Sequence, residues 1–175
     1  YGYVLNADPV HFDVTADNAS QENAVNIVKV KKENMPQKGI IKVGKTGEVF
    51  ASVVESDGVY QPVYSVQGLP SAVYEITAAE DIYTLDGTLR YKSGEVVNTV
   101  TTGKDGMAQS KALYLGKYTV REITAPHGMV INSEPTTVEL TYAGQEVEVT
   151  ETATDFYNER QKAAVSLDKV MEQDE

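Results

Sequence analysis

The sequence predicts an all-β sandwich on the basis of three observations. Its aromatic residues comprise 11 Tyr, 3 Phe and 0 Trp, and tyrosine, like valine and threonine, suits the half-buried surface of a pleated sheet. Short apolar runs alternate with turn signals such as Asp57-Gly58 and Asp105-Gly106. No long helical period interrupts them. Many short strands separated by frequent turns are typical of sandwiches and barrels.

The first half of the pattern predicts four strands. Residues 40–46 alternate between apolar and polar positions, as a strand with one buried face does. Residues 48–55 and 59–66 flank Asp57-Gly58, which is a hairpin signal. Residues 72–77 follow the turn residues Gly68-Leu69-Pro70, and residues 78–86 are expected to hold a short helix or a turn.

The second half predicts four more strands. Residues 95–102 are rich in valine and threonine, and residues 117–124 alternate again. Residues 136–142 and 146–157 are expected to form a last hairpin that turns at Ala143-Gly144.

Composition excludes several classes of function. The formal net charge is −11, from 15 Lys+Arg against 26 Asp+Glu, and such a surface repels a phosphate backbone, so no nucleic-acid partner is expected. There are no cysteines, which excludes disulfides and thiolate metal sites. No apolar run is long enough to span a bilayer, so direct membrane insertion is not expected. The chain begins at Tyr1 rather than Met, and we expect it to be an internal piece of a longer protein.

No metal or cofactor site is predicted. His11 and His127 are the only histidines, and no carboxylates have metal-ligand spacing. The Asp-Gly pairs are better interpreted as turns than as calcium loops, because the spaced oxygen ligands are missing. Neither a phosphate-binding glycine loop nor a Ser–His–Asp set is visible.

The chain contains an internal repeat. Residues 1–15 align without gaps with residues 127–141, and residues 34–45 align with residues 158–169. The matched positions include Gly2 with Gly128, Asn6 with Asn132, Pro9 with Pro135, Asn34 with Asn158, and Lys45 with Lys169. The interval from Asn to Lys is 11 residues in both copies. Two ungapped matches in the same order make chance similarity a poor explanation.

The repeat defines a domain organisation. We expect residues 1–34 to be the C-terminal strands of a preceding repeat and residues 35–38 to be a linker. Residues 39–158 are expected to form one complete repeat, and residues 159–175 a linker with the first strand of a following repeat.

Three polar residues lie on faces that should point inward. Lys45 shares a strand face with Ile41 and Val43, Glu122 with Tyr118 and Val120, and Asn158 with Thr154 and Phe156. Burial of such groups is costly unless they are paired. Each has a plain alternative: Lys45 can extend its amine to water, Glu122 can be an edge carboxylate, and Asn158 a turn residue. Recurrence of Asn and Lys in the neighbouring copies favours a shared role.

Four motifs together resemble a known family. They are Gly39-x-Ile-x-Val-x-Lys45, Gly68-Leu-Pro-x-Ala-x-Tyr-Glu-Ile76, Gly116-x-Tyr-x-Val-x-Glu122-x-x-Ala-Pro-x-Gly128 and Phe156-x-Asn158. This set resembles the B-type repeat of Gram-positive collagen adhesins, also called the SpaA-like pilin domain. Met129 departs from the family, which often has an aromatic residue there; the difference concerns packing.

The resemblance implies an Ig-like or prealbumin-like β-sandwich closed by an intramolecular isopeptide bond. Carried over, Lys45 is the nucleophile, Asn158 the acceptor and Glu122 the promoter. A free lysine has a pKa of about 10.4, and burial in an apolar core lowers an amine's pKa by roughly 3–5 units and raises a carboxyl's. A neutral amine could then attack the Asn158 carbonyl, while a protonated Glu122 is expected to hydrogen-bond that oxygen and transfer protons as ammonia leaves. The reaction would occur once per chain, so no enzyme turnover is expected.

Two further residues are expected to be half-sites. Asn34 should be the acceptor of the preceding repeat, and Lys169 the nucleophile of the following one. Neither should be crosslinked in this chain, because their partners would lie outside it.

The leading functional hypothesis is a structural spacer in an extracellular, cell-wall-anchored adhesin or pilus-like protein, with neighbouring repeats as its partners. The alternative is an adhesin module that binds a host matrix protein or glycan through residues 48–66 or 84–102. Those stretches contain four tyrosines, Tyr60, Tyr64, Tyr83 and Tyr91. A binding role would require a concave aromatic patch. Nothing in the sequence supports an enzyme that acts on an outside substrate.

Overall fold

The computed structural model describes residues 2–15, 20–22, 25–164, 166 and 169, and every regular element in them is a β-strand. The all-β prediction is therefore confirmed. In chain order the strands are β1 Ser20–Glu22, β2 Val25–Ile27, β3 Lys38–Ser56, β4 Val59–Gly68, β5 Val73–Ala78, β6 Ile82–Tyr83, β7 Leu89–Tyr91, β8 Val96–Thr101, β9 Met107–Gln109, β10 Leu113–Tyr114, β11 Gly116–Thr124, β12 Thr136–Leu140 and β13 Val149–Asn158.

Two sheets form the sandwich. In the first, β3 pairs in parallel with β13 and antiparallel with β4, β9 and β10. The second is antiparallel, in the order β12-β11-β5-β8. The parallel pair joins the first and last strands of the sandwich, so the rest of the domain serves as its crossover connection.

The core lies between the sheets because alternate residues of each strand point inward. The burial pattern alternates along β5 and β11 as this geometry requires. The main contributors are Ile41 and Val43 of β3, Tyr74 and Ile76 of β5, Tyr118 and Val120 of β11, and Phe156 of β13. Because Lys45, Glu122 and Asn158 continue these inward faces, they are drawn into the same interior.

Strand β3 is continuous over 19 residues, so the predicted break between residues 46 and 48 is wrong. The strand exchanges partners at that point instead of ending. Thr46 pairs with Gly68 of β4 on one side and with Tyr157 of β13 on the other. Gly47 fits the crowded crossing because a Cβ there would lie 2.6 Å from the Leu69 side chain.

Beyond this crossing, β3 and β4 form a ribbon of two strands that extends away from the sandwich. Its tip is Asp57-Gly58, with φ of 53° and 76°, the left-handed pair expected of a two-residue hairpin turn. The Asp-Gly prediction is thus confirmed. Apolar side chains of the ribbon are exposed, among them Phe50, Val54 and Tyr60.

One other sequence prediction needs correction. Residues 136–142 and 146–157 do not form a hairpin, because β12 pairs with β11 in the second sheet while β13 pairs with β3 in the first. The segment between them crosses from one sheet to the other, a course that a glycine turn alone does not reveal. The expectation of a short helix or a turn over residues 78–86 is met by the turn, since the segment holds bends, the short strand β6 and a turn at residues 85–86.

The flanks carry little regular structure. Within residues 2–15, Tyr3 forms an isolated bridge with Pro36, and β1 pairs only with β2. The assignment of residues 1–34 to the strands of a preceding repeat stays a prediction. Tyr1, residues 16–19 and 23–24, and most of 165–175 lie outside the described residues. No helix in the described part is long and apolar enough to cross a membrane.

Candidate crosslinking site

Lys45 is held by its backbone as well as by its side chain. Its N–H donates to the Gly106 carbonyl at 2.8 Å, and its own carbonyl accepts from the Leu69 N–H at 2.9 Å. Gly106 has φ of 78°, and a Cβ there would lie 2.4 Å from the Lys45 carbonyl oxygen. The turn at residues 103–106 can therefore clamp the lysine only with glycine at this position.

Glu122 and Asn158 approach from the other two strands of the site. Glu122 lies on β11 opposite Tyr74 of β5, just before a register shift that separates it from Thr124. Asn158 is the last residue of β13, which runs parallel to β3 with Phe156 paired to Lys45. The three side chains thus converge from both sheets at one end of the core.

The three side chains are in direct contact. The Lys45 amine donates a hydrogen bond to Asn158 Oδ1. Glu122 Oε1 lies 3.0 Å from Lys45 Nζ and accepts from Asn158 Nδ2 at 2.9 Å. The expectation from the sequence placed Glu122 at the amide oxygen, whereas the structure places it at the amide nitrogen. One carboxylate oxygen therefore contacts both nitrogens of the site.

The site is closed to solvent. Lys45, Glu122 and Asn158 are each 1% exposed. Burial lowers the pKa of the Lys45 amine, and the hydrogen bond and negative charge of Glu122 oppose that shift without cancelling it. A lowered pKa increases the share of neutral amine, which is the nucleophilic form.

Sequence reasoning assigned no role to Tyr74 or Asn132. The Tyr74 ring packs on Phe156 with centroids 4.8 Å apart, and its centroid is 5.9 Å from Lys45 Nζ. Burial, and secondarily the charge of Glu122, raise the pKa of its hydroxyl. That hydroxyl is the one buried side-chain polar atom of the described residues that lacks a hydrogen-bond partner. The sequence signal that could have found Tyr74 was its position on the inward face of the predicted strand 72–77.

Asn132 supports the carboxylate. Its backbone N–H donates to Glu122 Oε2 at 2.9 Å, which leaves Oε1 directed at the two nitrogens. The available signal was the match of Asn132 to Asn6 in the internal repeat.

The two predicted half-sites lie apart from the buried trio. Asn34 is exposed, and its Oδ1 accepts the Asn6 N–H at 3.3 Å. This amide is the repeat equivalent of Asn132 N–H, which Glu122 accepts in the buried site. Lys169 is exposed, and its neighbours at 167–168 and 170 lie outside the described residues.

The tyrosines of the alternative hypothesis do not converge. Tyr60 and Tyr64 lie on the β3–β4 ribbon, and Tyr83 lies on the small β6–β7 pair. Tyr91 packs against Tyr114 and Tyr118, with centroids 5.7 and 6.4 Å apart. Within the described residues, no group of His, Asp or Glu side chains is arranged to hold a metal ion.

The fold and the buried trio together define an all-β sandwich of prealbumin-like type. Comparison with known families agrees: the SpaA prealbumin-like fold domain matches residues 64–154, just over half of the sequence. The chain belongs to this family. The matched span includes Glu122 and lies between Lys45 and Asn158.

The solved structures that match this chain are distant in sequence. The minor pilin GBS52 of Streptococcus agalactiae is 16% identical with a TM-score of 0.47, covering 76% of this chain and 49% of that one. The major pilin SpaD of Corynebacterium diphtheriae is 21% identical with a TM-score of 0.44, covering 71% and 30%. The TIE protein of Bacillus anthracis is 21% identical with a TM-score of 0.43, covering 73% and 17%. The chain thus spans less than half of each structure. No curated protein sequence matches it.

Proposed function

We propose that the chain is a structural stalk repeat of a Gram-positive surface adhesin or pilus-like protein, closed by an autocatalytic isopeptide bond between Lys45 and Asn158 that Glu122 promotes. The observation that carries this proposal is the single oxygen, Glu122 Oε1, within 3.0 Å of Lys45 Nζ and 2.9 Å of Asn158 Nδ2 in a solvent-free pocket. Membership of the SpaA family supports the same class of protein.

The reaction balances without a co-reactant. The neutral Lys45 amine attacks Asn158 Cγ, and the new C–N bond forms as the bond from Cγ to Nδ2 breaks. Glu122 Oε1 accepts the proton released by the attacking nitrogen and transfers it to the departing one, which leaves as ammonia. The folded chain holds the reacting groups in contact and so supplies the effective concentration. Both side chains are consumed, so the reaction is a single self-processing event.

The position of the bond suits a load-bearing spacer. It would link β3 to β13, the first and last strands of the sandwich, near the end of the domain where the chain leaves at residue 158. Tension applied at residue 38 and at residue 159 would then pass through Lys45 and Asn158. The remaining hydrogen-bonded sandwich would carry little of that load.

Intact mass spectrometry of the purified chain tests the bond. We expect a mass lower than the sequence mass by one ammonia, and a branched peptide joining Lys45 to Asn158 after digestion. Lys45→Ala and Glu122→Ala should each have the full mass calculated from its own sequence, without loss of ammonia. Lys42→Ala is the matched control, because this partly exposed lysine on the same strand pairs with Glu151 at 2.6 Å and should leave the ammonia loss unchanged. An unmodified wild-type mass would refute the bond.

The same digestion tests the repeat organisation. We expect Asn34 and Lys169 to appear only in linear peptides, since each would find its partner in a neighbouring repeat. A crosslinked peptide containing either residue would overturn the assignment of residues 39–158 as the complete unit.

A second candidate function is adhesion to a host matrix protein or glycan. The observation that favours it is the row of exposed apolar side chains on the β3–β4 ribbon, including Phe50, Val59 and Tyr60. Binding of matrix proteins to the wild-type chain but not to a Tyr60→Ser variant would support adhesion over a purely structural role.

A further inference from the structure

The segment that precedes the sandwich is fastened to it by one buried glutamine. Gln37 is 1% exposed, although it lies in the predicted linker. Its Nε2 donates to the carbonyls of Gly144, at 2.8 Å, and Val147, and its Oε1 accepts the Ala143 N–H at 2.9 Å. The side chain thus satisfies three backbone groups of a single loop, which we call the socket (residues 143–147).

The socket is shaped to receive this side chain. Gly144 has φ of 102°, where a larger residue would be strained. The Val147 N–H donates to the Gly144 carbonyl at 3.3 Å, which closes the loop. A second contact with the socket comes from Leu5, whose N–H donates to the Gln145 carbonyl at 2.8 Å. The flank is therefore anchored at two points.

The flank itself has a counterpart at the other end of the sandwich. The Val4 N–H donates to the Met35 carbonyl at 2.9 Å, and the Gln37 N–H to the Gly2 carbonyl at 2.9 Å. At the repeat-equivalent positions, the Val130 N–H donates to the Glu159 backbone carbonyl at 2.7 Å, and the Gln161 N–H to the Gly128 carbonyl at 2.9 Å.

Further contacts coincide as well. Bridges join Tyr3 to Pro36 and Met129 to Arg160. Asp8 N–H donates to Asn6 Oδ1 at 3.1 Å, as Glu134 N–H does to Asn132 Oδ1 at 3.2 Å. The backbone therefore makes the same contacts at both ends, although the side chain of Gln37 is buried and that of Gln161 is exposed.

We propose that this glutamine is a docking element between consecutive repeats, and that Gln161 binds the socket of a following domain of the same type as Gln37 binds residues 143–147. The proposal rests on the stalk function, because it requires a second copy of the sandwich downstream. The Gln161 backbone is already in the docked arrangement, so at this residue docking orders only the side chain. Because the glutamine and its socket meet through three directional bonds, successive repeats would be fixed at one angle.

The existing junction is tested in the full chain by hydrogen exchange of individual amides. In Gln37→Ala, we expect the Ala143 and Leu5 amides to exchange about 10-fold faster or more, because the bonds that hold the socket and flank together are lost. Core amides of β5 and β11 should be unchanged. Gln161→Ala is the matched control and should leave all these amides unaffected. Unchanged exchange at Ala143 and Leu5 in Gln37→Ala would overturn the proposal.

The docking of Gln161 is tested in a tandem chain in which residues 1–161 are followed directly by a second copy of residues 38–158. This arrangement places Gln161 before Lys38 of the second copy, as Gln37 precedes it in the first. Gln161→Ala should now accelerate exchange at Ala143 of the second copy and widen the distribution of interdomain distances in small-angle scattering. If Gln161→Ala changes neither, docking between repeats is refuted. Intact mass reports the isopeptide bond separately, so failure of one proposal is distinguishable from failure of the other.

Discussion

At the scale of single residues, the site is a buried lysine whose amine has a pKa lowered by its surroundings. Each of the three groups would be costly to bury alone, and in this site they satisfy one another. Removal of one partner from a buried ion pair typically costs about 3–5 kcal/mol. The apolar walls, which include the Tyr74 and Phe156 rings, exclude the water that would keep the amine protonated. Formation of the proposed amide would replace the ionisable amine with a neutral group, so the cost of burying a charged amine would no longer arise.

The lowered pKa of Lys45 gives a prediction on the dependence of stability on pH. In Asn158→Ala the bond cannot form, so the amine still titrates. Above a pH of about 10.4 the amine is neutral in both the folded and unfolded chain. As pH falls below that value, the unfolded chain takes up a proton before the folded chain does, so unfolding becomes easier. The free energy of unfolding of Asn158→Ala should therefore rise with pH from the lowered pKa of Lys45 to about 10.4.

Urea denaturation at a series of pH values measures this slope. The double variant Lys45→Ala, Asn158→Ala controls for all other titrating groups, and the difference between the two curves should contain the predicted rise. Parallel curves would show that Lys45 keeps an ordinary pKa in the folded chain.

At the scale of elements, the site depends on the place where β3 passes from one pairing partner to the next beside the turn at residues 103–106. β3 contributes Lys45, the proposed nucleophile, at the point where it exchanges partners, and the 103–106 turn supports this residue from the side. A glycine at position 106 is thus required twice, once for its φ and once for space.

The two requirements can be separated by paired substitutions. Gly106 and Gly58 have φ of 78° and 76°, but a Cβ on Gly58 would meet nothing within 4 Å. Gly58→Ala should therefore cost only the backbone strain, about 1–2 kcal/mol. Gly106→Ala should cost clearly more and should slow formation of the crosslink, because the Lys45 carbonyl must move. Denaturation curves and the time course of ammonia loss after refolding measure both effects. Equal costs for the two variants would contradict the role assigned to the turn.

How far the sequence predicts this architecture depends on the kind of information required. Alternation placed Lys45, Glu122 and Asn158 on inward faces, because side-chain direction along a strand is a local property. It could not reveal that β12 and β13 belong to different sheets, since pairing is decided by packing over the whole domain. Nor could it reveal the continuity of β3 through Gly47, because a glycine in a sequence can mark either the end of a strand or a point where two backbones approach closely. Gln37 is in the same class: a polar residue in a linker gives no local signal that it is buried.

At the scale of the whole molecule, the proposed bond would close a loop across residues 113 apart in the chain. By the chain-entropy model for crosslinks, such a loop stabilises the fold by about 4–5 kcal/mol. The bond would supply this without cysteine and therefore without dependence on an oxidising environment.

Chemical denaturation of wild type and Asn158→Ala tests this contribution. The variant should lose at least about 4 kcal/mol of unfolding free energy. Lys42→Ala, which removes only the exposed pair with Glu151, should lose less than about 1 kcal/mol. A variant as stable as the wild type would mean that the crosslink does not constrain the unfolded chain.

The parallel pairing of β3 with β13 has one more consequence. With Lys45 and Asn158 joined, the shortest covalent path through the domain runs along residues 38–45, across the new amide and on to residue 159. Residues 46–157, which include the exposed β3–β4 ribbon, then form a closed loop outside this covalent path. A protease that cuts the ribbon at Asp57 would open the loop but leave the two ends of the domain covalently connected. Such a stalk can expose a long hairpin to its surroundings without risk of being severed there.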